Sequence, residues 1–434
     1  MAKEEIAIFW FRRDLRLNDN AGLYHALNSG FKILPIFIFD KNILDKLEDK
    51  DDARITFIHQ QLKKLKSELE KNQSSLLVKY GEPSKIWEEL TIEYQPKAVY
   101  TNHDYEPYAD ERDEKLNQYL GTKDILFRTF KDQCIFEKTE ITKDDGKPYV
   151  VFTPYKRKWL QKLNDFYLKP YPSEKYFNNL LSTKPFKAVD FHEIGFIKSD
   201  LGFPNQEYEK ILKNYEQDRN FPAKDATSRV SVHLRFGTIS IRELVKNAAS
   251  KSEVWLSELI WRDFYFSILW NFPHSAKDSF RPEYDKIEWR NNEIEFKAWC
   301  DGKTGYPIVD AGMRELNKTG FMHNRVRMIV ASFLTKHLLI DWRWGENYFA
   351  RKLLDFELSS NVGGWQWAAG CGVDAAPYFR IFNPYEQVKK FDKDLKYIKK
   401  WVPEYSDPFK YPKPIVDHKM ARERCLATYK KALN

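Results

Sequence analysis

The spacing of apolar residues changes after the first third of this chain, and the change limits the folds that the chain can adopt. Before it, short runs of apolar, β-branched and aromatic residues predict buried strands at 6–12, 33–39, 75–80 and 98–102. Between them, residues 52–70 and 83–93 have helical spacing with charged faces. This alternation predicts a doubly wound parallel α/β sheet, although no G-x-G-x-x-G fingerprint follows the first strand.

The rest of the chain lacks strand-like alternation. An irregular stretch at 166–204, with Pro170, Pro172 and Pro185 among lysines and serines, predicts a linker. After it, helical spacing predicts helices at 252–270, 305–317, 324–339 and 345–356. We therefore expect an α/β domain at 1–130, a connector at 131–204 and a mainly α-helical domain at 205–434.

The composition excludes several classes of protein. A chain of 434 residues that is 42% hydrophobic and 31% charged suits a globular protein with more than one core. It has neither a signal-peptide core nor a run of the roughly 20 apolar residues that a membrane span needs, so we expect a cytoplasmic protein. The four cysteines form no C-x-x-C pair, which disfavours a disulfide framework, and we expect no metal site.

The charge balance is compatible with a polyanionic partner. The net charge is +8 and the isoelectric point is near 8.9, which has the sign expected of a nucleic-acid-binding protein. A lysine-rich proteome explains these values equally well. Nucleic acid is favoured because arginines stand beside aromatic residues, where phosphate contact and base stacking can combine, at Arg262, Arg325, Arg327 and Arg380.

Tryptophan is concentrated in the predicted helical domain. Nine of the thirteen tryptophans lie between Trp255 and Trp367. Any single one of them is most simply a core residue. As a group they stand beside Arg, Glu, Asn and Asp, which is typical of a site that surrounds a planar aromatic ligand.

Three short motifs in this domain carry polar groups that suit ligand binding. Thr227-Ser228-Arg229-Val230-Ser231 has the hydroxyls of a phosphate cradle at a helix start, although a plain helix cap explains it as well. Helical spacing places Glu258 beside Trp261, with Trp255 a turn earlier. The same spacing brings Asn324 and Met328 together, an amide that can pair with a base edge beside a soft thioether.

A fourth motif combines acids with paired glycines. Asp355 and Glu357 precede Asn361, Gly363 and Gly364. Paired glycines remove side-chain bulk, so we expect a loop here where the backbone approaches a ligand closely.

In this order, the motifs resemble those of the photolyase/cryptochrome flavoproteins, and especially the microbial, class I type photolyases that repair cyclobutane pyrimidine dimers. The similarity extends over residues 9–419 and is densest at 215–231, 258–265, 302–310, 323–328 and 361–384. It implies a light-driven DNA lyase that binds FAD in its helical domain, acts on UV-damaged DNA and works as a monomer.

The resemblance also implies which residues hold FAD. Asn361 matches the family position that faces flavin N5, where an amide favours reduced flavin. Glu357 departs from the family pattern, which more often has Asp. The implied cofactor residues are Tyr215, Thr227, Ser228, Val230, Ser231, Trp255, Glu258, Arg262, Arg327, Asp355, Glu357 and Asn361.

The DNA-binding residues implied by the resemblance surround a flipped-out dimer, whose extrusion costs less than that of an intact pair. The His-Asn-Arg-Val-Arg-Met string at 323–328 distinguishes this chain from the six-four photolyases, which are similar elsewhere but carry histidines in that helix, and so the resemblance predicts repair of cyclobutane dimers alone. The implied DNA contacts are Arg219, Glu258, Trp261, Asn324, Arg325, Met328, Trp367 and Arg380. The implied catalytic residues are Glu258, Asn324, Met328 and Asn361, with Trp289, Trp342 and Trp365 as an electron-hopping chain.

Residues 102–113 bear on a second chromophore. They lack the Asn-Glu pair of the folate-binding relatives and are more similar to relatives that bind a deazaflavin or another flavin. We therefore expect an antenna chromophore of that kind rather than a folate.

Two other functions compete with DNA repair. A cryptochrome-type photosensor is disfavoured because the chain ends soon after the FAD domain and keeps Met328 and Asn361. A structural or nucleic-acid-binding protein without flavin is disfavoured by the intact motifs at 227–231 and 355–361.

Overall fold

A doubly wound parallel sheet forms in the computed structural model, which describes residues 4–434, and the predicted α/β architecture is confirmed. All pairings are parallel, and the strand order is β3-β2-β1-β4-β5. Strands β2 and β3 are therefore added on one side of β1, and strands β4 and β5 are then added on its other side. The strands are β1 (Ile6–Phe11), β2 (Lys32–Asp40), β3 (Leu77–Gly81), β4 (Ala98–Asn102) and β5 (Leu126–Phe130).

Burial explains which strands the sequence predicts. Ile8 and Trp10 of β1 pack with Leu34 and Val99 in one core, so β1, β2 and β4 carry long apolar runs. β5 lies at the sheet edge, and Leu126 is half-exposed, which explains why its pattern gave no prediction. The helices between the strands are Ala21–Leu27, Lys41–Leu44, Ala53–Lys71, Pro83–Tyr94 and Pro107–Gly121.

The chain packs into two compact units that interleave along the sequence. The first contains the residues up to Glu137 together with Lys162–Gln206 and Val230–Ser250, and the second contains Lys138–Gln161, Glu207–Arg229 and Lys251–Asn434. The boundaries expected at 130 and 204 stay a prediction, and residues 1–3 of the first expected domain lie outside the described residues.

A buried ion network holds distant segments together in the first unit. Arg242 bonds to Asp19 and to Asp132 at 2.8 Å each, and Arg16 bonds to Asp132 at 2.6 Å. Arginine forks suit paired carboxylates, and buried charges persist only when they are paired in this way. The short helices of the first unit are Asp165–Leu168, Ser173–Asn179, His192–Ile194 and Ser231–Arg235, followed by most of Ile241–Lys251.

The second unit is almost entirely helical, as its spacing predicts. Its core is formed by residues such as Trp299, Met313, Val330, Trp342 and Trp365. Among residues 4–434, no helix is both long and apolar enough to cross a membrane. A π-helical turn, Phe333–His337, follows the helix Asn324–Ser332. The main helices of the second unit are Phe152–Lys162, Glu253–Asn271, Glu293–Cys300, Pro307–Thr319, Asn324–Ser332, Trp342–Lys352, Leu358–Ala369, Pro384–Phe391, Lys396–Trp401 and His418–Leu433. Shorter pieces are Glu209–Leu212, Tyr215–Asp218, Pro273–Ala276 and Pro282–Lys286.

Candidate active site

A cavity of about 470 Å³ lies inside the helical unit. Its size is that of a small-molecule site. Four helices supply most of its lining: Glu253–Asn271, Asn324–Ser332, Trp342–Lys352 and Leu358–Ala369. Most of the residues that the resemblance singles out line it, namely Tyr215, Arg219, Thr227, Glu258, Trp261, Asn324, Arg325, Arg327, Met328, Asp355, Glu357, Asn361, Trp365 and Trp367.

One side of the cavity, here the Asn361 wall, consists of the lining residues of Trp342–Lys352 and Leu358–Ala369. The Asn361 side-chain nitrogen donates to the Glu346 backbone oxygen at 3.1 Å and to its carboxyl Oε1 at 2.8 Å. Because the backbone oxygen is always an acceptor, the amide nitrogen must face Glu346. The Asn361 Oδ1 atom is therefore left as the acceptor available to a ligand.

Packing against glycines fixes the same wall. A Cβ on Gly345 would stand 2.1 Å from the Trp365 ring, so the indole rests directly on the backbone of the helix that begins at Trp342. Burial raises the pKa of the neighbouring Glu346 carboxyl, and its bond from Asn361 only partly offsets this effect. This wall is held by close packing and by a partly buried hydrogen bond.

The paired glycines occupy a helix, so the loop expected from Asp355 to Gly364 is wrong from Leu358 onward. Both lie in Leu358–Ala369, where one face packs on protein and the adjacent face is open. A Cβ on Gly363 would stand 2.2 Å from the Tyr265 ring, whereas one on Gly364 would have no heavy atom within 4 Å. The backbone does approach closely, but at Gly363 it approaches an aromatic ring of the protein itself. Gly364 is the one that leaves room in the cavity.

An ion pair stands beside this wall. The Arg327 Nη2 atom lies 3.0 Å from Asp355 Oδ2, and Arg327 Nε donates to the Met322 backbone oxygen at 2.8 Å. Glu357 is buried as the residue that precedes Leu358–Ala369. Paired charges, an amide acceptor and a glycine opening match the polar edge and flat ring of an isoalloxazine, so these residues fit FAD.

A second part of the lining, here the Asn324 wall, consists of the lining residues of Glu253–Asn271 and Asn324–Ser332. Asn324 is exposed and Met328 is half-buried, and both line the cavity from one face of their helix. The Trp261 ring stacks on Phe152 with centroids 3.7 Å apart and planes at 8°. Phe152 therefore fixes one face of the indole of Trp261, which also lines the cavity.

The helix of Asn324 starts at a histidine cap. His323 Nδ1 accepts from the Arg325 backbone N–H at 3.1 Å. Burial, with the nearby Arg325 and Arg327, lowers the pKa of His323 to about 4. The imidazole is thus neutral at physiological pH and acts as a cap, which positions Asn324 at the first turn.

Two arginines stand at the edge of the Asn324 wall. Arg219 Nη1 lies 2.6 Å from Glu258 Oε1, with both side chains partly exposed. Arg325 donates to the Asn220 side-chain oxygen at 2.8 Å and lies over the Phe391 ring at 4.3 Å. Burial and the proximity of Arg219 lower the pKa of Arg325, as expected for two like charges close together.

Some residues expected at the site lie outside the cavity lining. Trp255 is buried and stacks on Tyr208 at 5.1 Å, and Arg262 lies over Phe266 at 4.5 Å. The helix after the 227–231 motif starts at Ser231, with Val230 as a cap that makes no side-chain bond, so the expected cap by the motif's hydroxyls is wrong. The lining does not include Ser228, Val230, Ser231, Trp255, Arg262 and Arg380, and their roles stay predictions.

The three tryptophans of the implied electron chain belong to one core. Trp342 and Trp365 are buried in it and Trp289 packs against it. The Trp365 ring also contacts Trp299, with centroids 6.0 Å apart. Trp365 lines the cavity and rests on the helix of Trp342, so the arrangement suits electron transfer from the core to the cavity. The order in which the three tryptophans pass the electron stays a prediction.

The sequence reasoning missed several lining residues, including Asn220, Tyr265, Phe349 and Leu353. It also missed Glu346, which orients Asn361. Phe349 and Leu353 continue an apolar helical face, which by sequence is indistinguishable from core. For Glu346 the only signal in the sequence is an acidic residue within a helix of apolar periodicity.

Comparisons with known proteins agree with this geometry. Residues 7–175 match the family described as DNA photolyase, and residues 255–431 match the FAD binding domain of DNA photolyase. A deoxyribodipyrimidine photo-lyase of Agrobacterium fabrum is 39% identical over 97% of this chain and 97% of its own length. The Escherichia coli protein of that name is 36% identical over 98% of each chain.

Solved structures give the same result. A bacterial class III photolyase from Agrobacterium tumefaciens has a TM-score of 0.86 at 35% identity, covering 100% of this chain and 98% of that one. An archaeal photolyase from Sulfolobus tokodaii, solved with two FAD molecules, has a TM-score of 0.85 at 35% identity, covering 98% and 100%. The predicted family is confirmed: this chain belongs to the DNA photolyase family.

Proposed function

We propose that this protein is a deoxyribodipyrimidine photo-lyase, which uses blue light to repair cyclobutane pyrimidine dimers in UV-damaged DNA. One observation carries the proposal: a single cavity is lined both by residues that fit FAD and by residues that fit a flat pair of bases. The names of the relatives, which match over nearly the whole chain, support it.

On the Asn361 wall, the residues hold and tune the cofactor. When bound and reduced, FAD supplies the light absorption and the electron that opens the cyclobutane ring. Asn361 Oδ1 is positioned by Glu346 to accept a hydrogen bond from an N–H of the ring edge. Beside this wall, the Arg327–Asp355 pair presents charge to the polar edge of the ring, and Gly364 on the wall leaves space for the ring.

On the Asn324 wall, the residues bind the flipped-out dimer. Trp261, backed by Phe152, holds the dimer by apolar contact together with Trp367 from the helix Leu358–Ala369. Asn324 and Glu258 bond to its carbonyl and N–H edges, while Met328 packs against its surface. Arg219, Arg325 and Arg380 are the proposed phosphate contacts.

The test is repair of a synthetic oligonucleotide that contains one cyclobutane dimer. Purified protein, reduced in the dark and then exposed to blue light, is expected to restore the thymines, and the dark sample is not. Bound flavin without any repair would instead support a photosensor, since a cryptochrome from Synechocystis also shares the fold at a TM-score of 0.85 and 25% identity.

We further propose an antenna chromophore, a deazaflavin or second flavin rather than a folate, in the first unit. The archaeal relative solved with two FAD molecules supports this proposal. At the carboxyl end of β1, the Arg12 and Arg112 guanidiniums lie 4.9 and 4.7 Å from the Trp10 ring centroid, a combination that suits a planar anionic ring system. Mass spectrometry of the released chromophores identifies the occupant.

We also propose that the protein acts as a cytoplasmic monomer. The cavity is lined by residues of one chain and one unit, so no second copy is needed to complete it. Light scattering during size-exclusion chromatography tests the oligomeric state.

A further inference from the structure

The edge of the Asn324 wall holds an ion pair between two residues with different proposed partners. Arg219 follows the short helix Tyr215–Asp218, and Glu258 lies in Glu253–Asn271. Their 2.6 Å contact occupies the carboxylate oxygen Oε1 and the guanidinium nitrogen Nη1. In the proposed function, however, Glu258 bonds to a base and Arg219 bonds to a phosphate. The two roles compete with the contact that the structure shows.

The surroundings favour an exchange of partners at Arg219. Carboxylates and phosphodiesters present the same kind of paired oxygens to a guanidinium, so either can occupy it. Arg325 stands close enough for its pKa to be lowered by Arg219, and the two cations together attract a phosphate more strongly than either alone. The Arg219 and Glu258 side chains are 21% and 32% exposed, and ion pairs this exposed are weak enough to exchange.

We propose that Arg219 is a latch on Glu258, which holds the carboxylate in the free protein and moves to a phosphate of the lesion strand when damaged DNA binds. Release frees the Glu258 carboxylate to accept a hydrogen bond from an N–H of the flipped-out dimer. Phosphate contact and base contact are then coupled, since the first makes the acceptor for the second available. This inference rests on the proposed function.

The latch predicts effects of opposite sign for two forms of the same lesion. A cyclobutane dimer of 1-methylthymine has the base N–H groups but no phosphate, so it must compete with Arg219 for Glu258. A dimer within an oligonucleotide brings its own phosphates. If Arg219 merely positions Glu258, its loss lowers binding of both forms.

The experiment measures the affinity of both probes in the dark for the FAD-loaded wild type and for Arg219→Gln. We expect Arg219→Gln to weaken binding of the oligonucleotide about tenfold, the scale of one charge-assisted contact. We expect it to strengthen binding of the free dimer about two- to fivefold, the scale of one partly exposed ion pair. Adding Glu258→Ala is expected to abolish that gain, because the carboxylate that Arg219→Gln frees is then absent.

Arg325→Gln is the matched control, because it removes a neighbouring cation whose guanidinium donates to the Asn220 side chain, whereas that of Arg219 donates to Glu258. It is expected to weaken oligonucleotide binding and to give no gain for the free dimer. Arg219→Lys, which keeps the charge without the fork, provides a second variant with a smaller gain if Arg219→Gln loses its fold.

Two outcomes separate the latch from the proposed function. If the wild type repairs the oligonucleotide under light but Arg219→Gln weakens binding of both probes, the latch is wrong and the repair function stands. If the wild type neither binds nor repairs the oligonucleotide, the latch and the proposed repair function are both wrong.

Discussion

The two walls of the cavity differ in how firmly they are held. On the Asn361 wall, Asn361 is bonded to Glu346, Trp365 rests on Gly345, and Gly363 rests on Tyr265. On the Asn324 wall, the polar groups are an exposed amide, a flexible thioether and a partly exposed ion pair. A rigid wall suits a cofactor that stays bound, and an adaptable wall suits a substrate that arrives and leaves.

Changes to the Asn324 wall should therefore alter what the protein repairs, and the largest expected effect concerns the lesion itself. Asn324 and Met328 share one helical face that suits two bases joined edge to edge. A six-four product, whose rings are nearly perpendicular, does not fit that face. We expect repair of cyclobutane dimers only, when both lesions are presented in otherwise identical oligonucleotides and restored thymines are followed by chromatography. Efficient repair of the six-four product would contradict this view of the wall.

Changes to the Asn361 wall should act on the cofactor. Trp365 is the predicted electron donor that lines the cavity, so Trp365→Phe is expected to stop light-driven reduction of bound oxidised FAD. Absorption spectra during illumination in the presence of a thiol follow the reduction. Trp344→Phe is the matched control, because Trp344 contacts Phe296 and is absent from the lining residues. A normal rate in Trp365→Phe would show that the electron comes from elsewhere.

Adjacent glycines test the rigidity of the same wall. In Gly363→Ala the new Cβ overlaps the Tyr265 ring, and we expect a loss of about 1–3 kcal/mol in the free energy of unfolding. In Gly364→Ala the new Cβ meets open space, so stability should stay level or rise by up to about 1 kcal/mol from helix propensity, while FAD affinity falls. Urea denaturation and flavin titration measure the two effects. Equal loss of stability in both variants would contradict the packing described here.

A smaller effect is expected from the stacked indole of the Asn324 wall. Trp261→Ala should lower the affinity for damaged DNA by about 1–3 kcal/mol, because one base–aromatic contact is lost. Flavin content should not change, since Trp261 belongs to the substrate side. Binding titrations with damaged and undamaged duplexes measure the effect. Unchanged discrimination between the two would remove Trp261 from the proposed site.

The sequence predicts elements well where burial is uniform. Expected helices at 252–270 and 305–317 correspond to Glu253–Asn271 and Pro307–Thr319. The helix Pro107–Gly121 was missed because its buried residues are few, Ala109, Leu116 and Leu120 among them. Edge strands and sparsely buried helices carry too little periodic signal to be predicted.

In the site, likewise, contacts within one helix could be predicted from the sequence and contacts between helices could not. Asn324 and Met328 were paired correctly because one helix carries both, and local spacing is visible in a sequence. The Arg219–Glu258 pair and the Glu346–Asn361 bond join separate segments of the chain. No local sequence pattern predicts such contacts. The resemblance supplied residue roles, but it did not supply these partners.

The interleaved path of the chain has a consequence for synthesis. Asp132 is buried and bonds to Arg242, which follows it by 110 residues. While the chain grows from its N-terminus, the five strands leave the ribosome well before this counter-charge exists. Until then Asp132 has Arg16 but lacks the second of its two arginine partners. Incomplete pairing of a buried carboxylate is costly, so the sheet unit should complete its folding only after Arg242 emerges, and a fragment that stops at residue 204 should fold poorly.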